Sequence, residues 1–215
     1  MYSMNIMSKR IFLIRHGEGF HNVNYHIFGR KAYYIERHMD PKLTSKGKDQ
    51  ALELGETWLD KEDIELVISS SLTRCLETTS NIFKDMNVPI IANENIREFP
   101  MGLQYSNKRR DKWILQKEFP HISFNDVLSS SDEIWNNERY ETLDELNERK
   151  RKTLEFIKNR PEKNIALVSH SSFIMNFLFN FVDEDETKEL KHCYPYEFKM
   201  EDIDSGRHKE SSYEH

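Results

Sequence analysis

Two hundred and fifteen residues, 37% hydrophobic and 32% charged, suffice for one well-buried domain and exclude a disordered chain. A formal net charge of −6 speaks against a nucleic-acid backbone as the main partner, which would require a basic surface. Apolar runs of about four residues are far short of a membrane span, and residues 1–8 lack the apolar middle of an export signal, so a cytoplasmic location is expected.

The first predicted strand is Ile11-Phe12-Leu13-Ile14, and it delivers Arg15, His16 and Gly17 at its carboxyl end. In open α/β sheets, ligands bind outside that end of the strands. A neutral imidazole whose other nitrogen is held as N–H by an acceptor can attack phosphorus. An arginine beside it can grip phosphate oxygens in a bidentate fork, and a glycine lets a ligand approach the backbone. Arg-His alone reads equally well as a solvated strand end. With Asn22 added, however, Arg15-His16-Gly17-Glu18 resembles the signature of the histidine phosphatase superfamily in its phosphoglycerate mutase-like branch (branch 1).

Residues 18–39 show no apolar period and are rich in Asn, His and Tyr, which predicts a loop around the mouth of the site. Thr44 then caps a helix whose inward stripe is Ala51, Leu54 and Trp58. The segment from Leu43 to Ala51 is similar to the family's Leu-Thr-x-x-Gly-x-x-Gln-Ala. A second buried strand, residues 64–69, runs into a helix with Leu72, Cys75, Leu76, Thr79, Ile82 and Phe83 inward. Arg74 falls off that stripe in the first helical turn, where a cation opposes the helix dipole unless an anion binds there. The register resembles the family's Ser-Pro-Leu-x-Arg-Ala-x-x-Thr-Ala, with Ser71, Cys75 and Thr79 as departures.

Val88-Pro89-Ile90-Ile91 predicts a short third strand, followed by a loop with Glu98 amid Phe99, Pro100 and Met101. Apolar neighbours desolvate a carboxylate and raise its pKa toward that of a useful proton donor, and the family's acid lies in a loop at this point. Lys108, Arg109 and Arg110 follow, a basic run that serves either as a solvated helix start or as a site for a second anionic group of the substrate. Residues 113–135 lack a clean period and are broken by Pro120 and by Ser129-Ser130-Ser131-Asp132, which suggests short helices of a lid over the site. An amphipathic helix is expected over residues 141–158, with Leu143, Leu146, Leu154 and Ile157 inward.

Residues 164–169 form another buried strand that ends in a histidine, His170, and Ser171 opens the helix after it. Residues 183–190 read as acidic loop, 193–198 as an edge strand that tolerates Pro195, and 201–215 as a polar, mobile tail. The domain is therefore expected over 9–200, with the lid insertion at about 99–138. Cys75 and Cys193 are distant and form no CxxC pair, so both are read as reduced packing residues. The histidines are scattered, and His16, His21 and His26 share no helix face, so no metal site is expected.

The resemblance runs through five ordered segments from Ile11 to about Phe198. It implies an α/β three-layer sandwich with a mostly parallel central sheet flanked by helices. It also implies that His16 attacks phosphorus to give a phosphohistidine that water hydrolyses, and that Glu98 protonates the leaving oxygen. Arg15, Asn22, Arg74 and His170 would hold the phosphoryl oxygens, with Gly17 and the backbone N–H of Ser171 beside them. The expected partner is a small phosphorylated substrate, with no cofactor, no nucleic acid and no membrane. No segment matches the Glu-Arg-His-Tyr-Gly of the longer mutases, which favours a phosphatase. A mutase or an inactive phosphate-binding scaffold are the alternatives.

Overall fold

The computed structural model describes residues 9–179 and 189–205. Aliphatic runs build a five-stranded sheet from β1 (Arg10–Arg15), β2 (Leu66–Ser70), β3 (Ile90–Asn93), β4 (Asn164–Ser169) and β5 (Pro195–Lys199). The strand order is β3-β2-β4-β1-β5. β1, β2, β3 and β4 are parallel, and β5 closes the edge antiparallel to β1, with Pro195 opposite Ile14. An edge strand loses little to a proline, because one side of its backbone has no ladder partner. β2 is buried at every position and β1 and β4 at all but the first, as expected for strands covered on both faces.

The alternation along β1 separates two cores. Phe12 and Ile14 face the layer of α2 (Ser45–Thr57) and α3 (Thr73–Ile82), among Ala51, Leu54, Trp58, Cys75 and Leu76. Ile11 and Leu13 face α5 (Leu143–Lys158) and α6 (Ser171–Phe179), among Leu146, Ile157, Phe173 and Ile174. The result is the three-layer α/β arrangement. Thr44 caps α2 by accepting from the Gly47 N–H at 3.0 Å, and Thr142 with Glu145 forms a reciprocal capping box at α5. Cys75 and Cys193 are buried free thiols, and burial pushes Cys193 up to about 12.

Three segments differ from expectation. Residues 18–39 hold α1 (Phe20–Phe28) and two short 3-10 helices, Gly29–Tyr34 and Glu36–His38. The helix exposes Phe20, Ile27 and Phe28 and buries His21, so its apolar residues mark the wrong face and no inward period exists to be read. Residues 113–135, including most of α4 (Lys112–Glu118), lie beside the sheet edge. Ile91 bridges to Ser123, while Leu115, Phe119, Phe124 and Val127 complete the core on the α2 and α3 side. The part of the insertion that reaches the pocket is residues 99–107, joined by Tyr140 from beyond it. Finally, the chain after β5 continues as α7 (Met200–Ser205), because Met200 and Ile203 find places in the core on the α5 and α6 side. The expected tail is described only as far as Ser205, and of the expected acidic loop only Glu189 and Leu190 lie within the described residues.

Candidate active site

Because the four parallel strands point one way, their carboxyl ends meet at one rim. β1 ends in Arg15 and leads to His16, β4 leads to His170, β2 runs into α3 with Arg74 in its first turn, and β3 leads to the loop of Glu98. Gly17 makes this convergence possible by contact of backbone on backbone. A Cβ there would stand 2.3 Å from the Gly47 carbonyl oxygen at the start of α2.

The protonation state of His16 follows from its two partners. Its Nδ1 lies 2.7 Å from the Gly17 carbonyl oxygen, which can only accept, so Nδ1 carries the proton. Its Nε2 receives a hydrogen bond of 3.2 Å from Arg74 Nε, which can only donate, so Nε2 presents a lone pair. Burial, reinforced by the Arg74 cation, holds the imidazole well below the usual histidine range and keeps it neutral. The ring is therefore poised as a nucleophile through Nε2.

Arg74 is fully buried and oriented by the Ser106 carbonyl at 2.8 Å and by Asn107 Oδ1 at 2.9 Å. The anion called for at the first turn of α3 is in part supplied by Asp40. Its carboxylate accepts from the Thr73 N–H at 2.8 Å and from Thr73 Oγ1 at 2.7 Å. Arg15 is nearly buried and donates to the Leu190 carbonyl at 2.6 Å, while Glu189, 52% exposed, pairs with its outer nitrogen at 2.9 Å. Asn22 faces the same cavity and accepts the Gly19 N–H at 2.9 Å through its side chain.

Glu98 stands across the cavity with its side chain 17% exposed. Burial raises its carboxyl, and this outweighs the opposing Arg74 charge. One oxygen accepts from the N–H groups of Phe99 and Phe173, at 2.9 and 3.3 Å. Arg149 fixes the loop from below by donating to the carbonyls of Asn95 and Arg97 and pairing with Glu141 at 2.5 Å.

The cavity measures about 280 Å³. Arg15, His16, Asn22, Arg74, Glu98 and Ser171 line it as the sequence suggested, and so do His21, Arg30, Tyr33, Tyr34 and Tyr140, which it did not suggest. The Tyr34 and Tyr140 hydroxyls hydrogen-bond to each other at the rim. The missed residues lie on α1 and the following 3-10 helix, or beyond the insertion, where no apolar period pointed to them.

Five expected site residues are placed differently. Gly17 does not line the cavity: its N–H is given to Thr78 Oγ1 at 3.0 Å, and its carbonyl accepts the hydrogen bond of the His16 Nδ1–H while its lack of a side chain allows close packing. His170 is fully buried behind His16, ring centroids 5.1 Å apart, and Nε2 bonds Ser70 Oγ at 2.8 Å. The basic run does not face the cavity, which corrects its expected role as a second anion site. Arg109 is buried, bonds the carbonyls of Ser129, Ser130 and Ser131, and stands 2.8 Å from Glu94 as an ion pair. Arg110 joins Thr73 Oγ1 and Glu118, each at 2.8 Å, and Lys108 lies over the Trp135 ring at 4.4 Å. These cations already have structural partners. Among the described residues, no group of three or more His, Cys, Asp or Glu could hold a metal ion, and no helix is long and apolar enough to cross a membrane.

Comparison with known proteins places the chain in a family. The chain is 33% identical to phosphoglycerate mutase-like protein 1 of Arabidopsis thaliana, over 85% of its own length and 76% of that protein. It is 29% identical to a broad-specificity phosphatase of Saccharomyces cerevisiae, over 79% of this chain and 68% of that one. Among solved structures, a putative alpha-ribazole-5'-P phosphatase from Escherichia coli shares the fold, with a TM-score of 0.58, 20% identity, and coverage of 88% and 89% of the two chains. The family model of the histidine phosphatase superfamily (branch 1) matches residues 11–196, and the chain belongs to that superfamily.

Proposed function

We propose that the protein is a phosphatase that hydrolyses phosphate monoesters through a phosphohistidine on His16. The observation that carries this reading is the paired hydrogen bonding that leaves Nε2 of a buried, neutral His16 as a lone pair inside a cavity lined by three arginines, Arg15, Arg30 and Arg74. A dianionic phosphoryl group is a stronger acceptor for Arg74 than an imidazole nitrogen, so substrate binding draws Arg74 off Nε2 and uncovers the nucleophile. Arg15, Arg74 and Asn22 hold the nonbridging oxygens, with His170 backing His16. Nε2 then forms the N–P bond as the P–O bond to the leaving group breaks, and Glu98 gives its proton to the departing oxygen. In the second half, the Glu98 carboxylate takes a proton from water, the water oxygen attacks phosphorus, and the N–P bond breaks to release phosphate. Positioning and fixed positive charge carry most of such a transfer, and here the arginines supply that charge without a metal.

Of the two activities represented among the relatives, phosphatase is favoured because the chain lacks the Glu-Arg-His-Tyr-Gly segment of the longer mutases. The cavity volume suits a small phosphorylated molecule. The test is mass spectrometry of protein mixed with a phosphate ester and quenched without acid. Wild type should carry a phosphoryl adduct on His16, and His16→Ala should carry none and turn nothing over. Substantial activity in His16→Ala would reject the mechanism.

A further inference from the structure

His21 is the one cavity-lining histidine besides His16. It is 8% exposed, and among the described residues its Nδ1 has no hydrogen-bond partner, a costly state for a buried polar atom. Its ring centroid lies 5.3 Å from that of His16, on the cavity side that also carries Arg15 and Arg74. A second observation concerns Gly19. Its backbone is ordinary extended chain, φ −101° and ψ 161°, so any residue could adopt it. What a side chain there would meet first is the His21 ring, at 2.6 Å from Nδ1 and 2.7 Å from Cε1. The missing Cβ is thus used to seat the imidazole against the backbone at the start of α1.

We propose that His21 is a further ligand of the transferring phosphoryl group, donating an imidazole N–H to a nonbridging oxygen, and that Gly19 is the residue that positions it. The inference rests on the reading of this pocket as a phosphoryl-transfer site. Arg15 and Arg74 are donor-only cations, which suits them to an anionic acceptor such as a phosphoryl group. A neutral imidazole beside them adds a directed donor without adding a further full charge to the site. The side chain of Asn22, on the next residue, accepts the Gly19 N–H through Oδ1, which holds its amide beside His21 so that α1 turns two donors toward the oxygens.

The test is calorimetric titration of the intact protein with inorganic phosphate, with melting temperatures measured alongside. His21→Leu should bind phosphate about ten- to a hundredfold more weakly, the worth of a hydrogen bond to a charged group. His21→Gln, which restores an N–H at similar reach, should recover a large part of that loss. Gly19→Ala should displace the ring and weaken phosphate binding. Combined with His21→Leu it should add little, because both changes remove the same contact. Equal affinity in wild type and His21→Leu would overturn the proposal. So would a stable His21→Gln that binds no better than His21→Leu, or full additivity of Gly19→Ala and His21→Leu. Because phosphate binds without chemistry, failure to trap a phosphoryl adduct on wild-type His16 would count against the catalytic reading alone, and the titration would still judge His21.

Discussion

At the scale of single residues, the proposed mechanism uses two titratable groups that burial shifts toward their less charged forms. His16 must be neutral to attack, and its pKa is pushed down by burial. Activity therefore rises as pH climbs through a value well below the usual 6.5 and is already complete near neutrality. Glu98 must be protonated to donate, and its pKa is pushed up, so activity falls as pH rises through that raised value. Glu98→Gln should abolish this alkaline limb and cost about 10²- to 10⁴-fold in kcat/KM on alkyl phosphates, the usual worth of general acid catalysis. On a nitrophenyl phosphate, whose leaving group departs unaided, the loss in the first step should be far smaller. Equal losses on both substrates would mean that Glu98 positions the substrate and is not the acid. Arg74→Ala should be nearly as damaging as loss of His16, since it removes a charge-assisted clamp and the donor that orients Nε2. Unchanged steady-state kinetics in that variant would refute its place in the site.

At the scale of elements, the insertion is tied down by buried ion pairs. Arg97 and Asp132, both without side-chain exposure, meet at 2.6 Å, Arg97 and Arg109 share Glu94, and the Arg109 N–H is bonded to Asp132 at 2.7 Å. Removing one member of such a set leaves an uncompensated buried charge, which costs about 3–5 kcal/mol. Arg109→Met should therefore lower stability by roughly that amount in urea denaturation, while the folded enzyme keeps its KM for mono- and multiply anionic substrates alike. A selective rise in KM for multiply anionic substrates, with stability intact, would return the basic run to the substrate. The basic run and the Ser129-Ser130-Ser131-Asp132 cluster were each visible in the sequence. Their pairing across some 20 residues was not, because contacts at that separation leave no period in a single chain.

At the scale of the whole molecule, four histidines crowd the β1 end: His16, His21, His170 and His192. Burial lowers all four, His192 to about 4. A histidine depressed in the folded state binds its proton in the unfolded chain first. Stability is then full above the unfolded value near 6.5 and is lost as pH falls toward the folded value. His192 is suited to a direct test, since its Nδ1 bonds only the His16 carbonyl at 2.6 Å and it does not line the cavity. Between pH 7 and pH 5, wild type should lose up to about 2 kcal/mol more folding stability than His192→Asn. The same loss in both proteins would show that His192 titrates normally.

What the sequence by itself determined is the part of the protein written in local patterns. Apolar runs such as Ile11-Phe12-Leu13-Ile14 specify buried strands, Thr44 and the stripe of Ala51, Leu54 and Trp58 specify a helix, and Arg15-His16-Gly17 marks a strand end that can handle phosphate. From these, taken with the resemblance to the histidine phosphatase superfamily, the sheet, its flanking helices and the placement of His16, Arg74 and Glu98 on one pocket could be anticipated. Only the tertiary structure decided which side of α1 faces the cavity, because that helix buries His21 and has no inward apolar stripe. The same holds for Arg109 and Arg110, whose charges were visible but whose partners, Glu94, Asp40 and Glu118, are brought to them by the fold. It holds too for the proton on His16, which is assigned by one carbonyl and one guanidinium drawn from opposite sides of the pocket. Hydrophobic periodicity reports what a segment buries. It carries no record of which polar group, arriving from elsewhere in the chain, will meet it there.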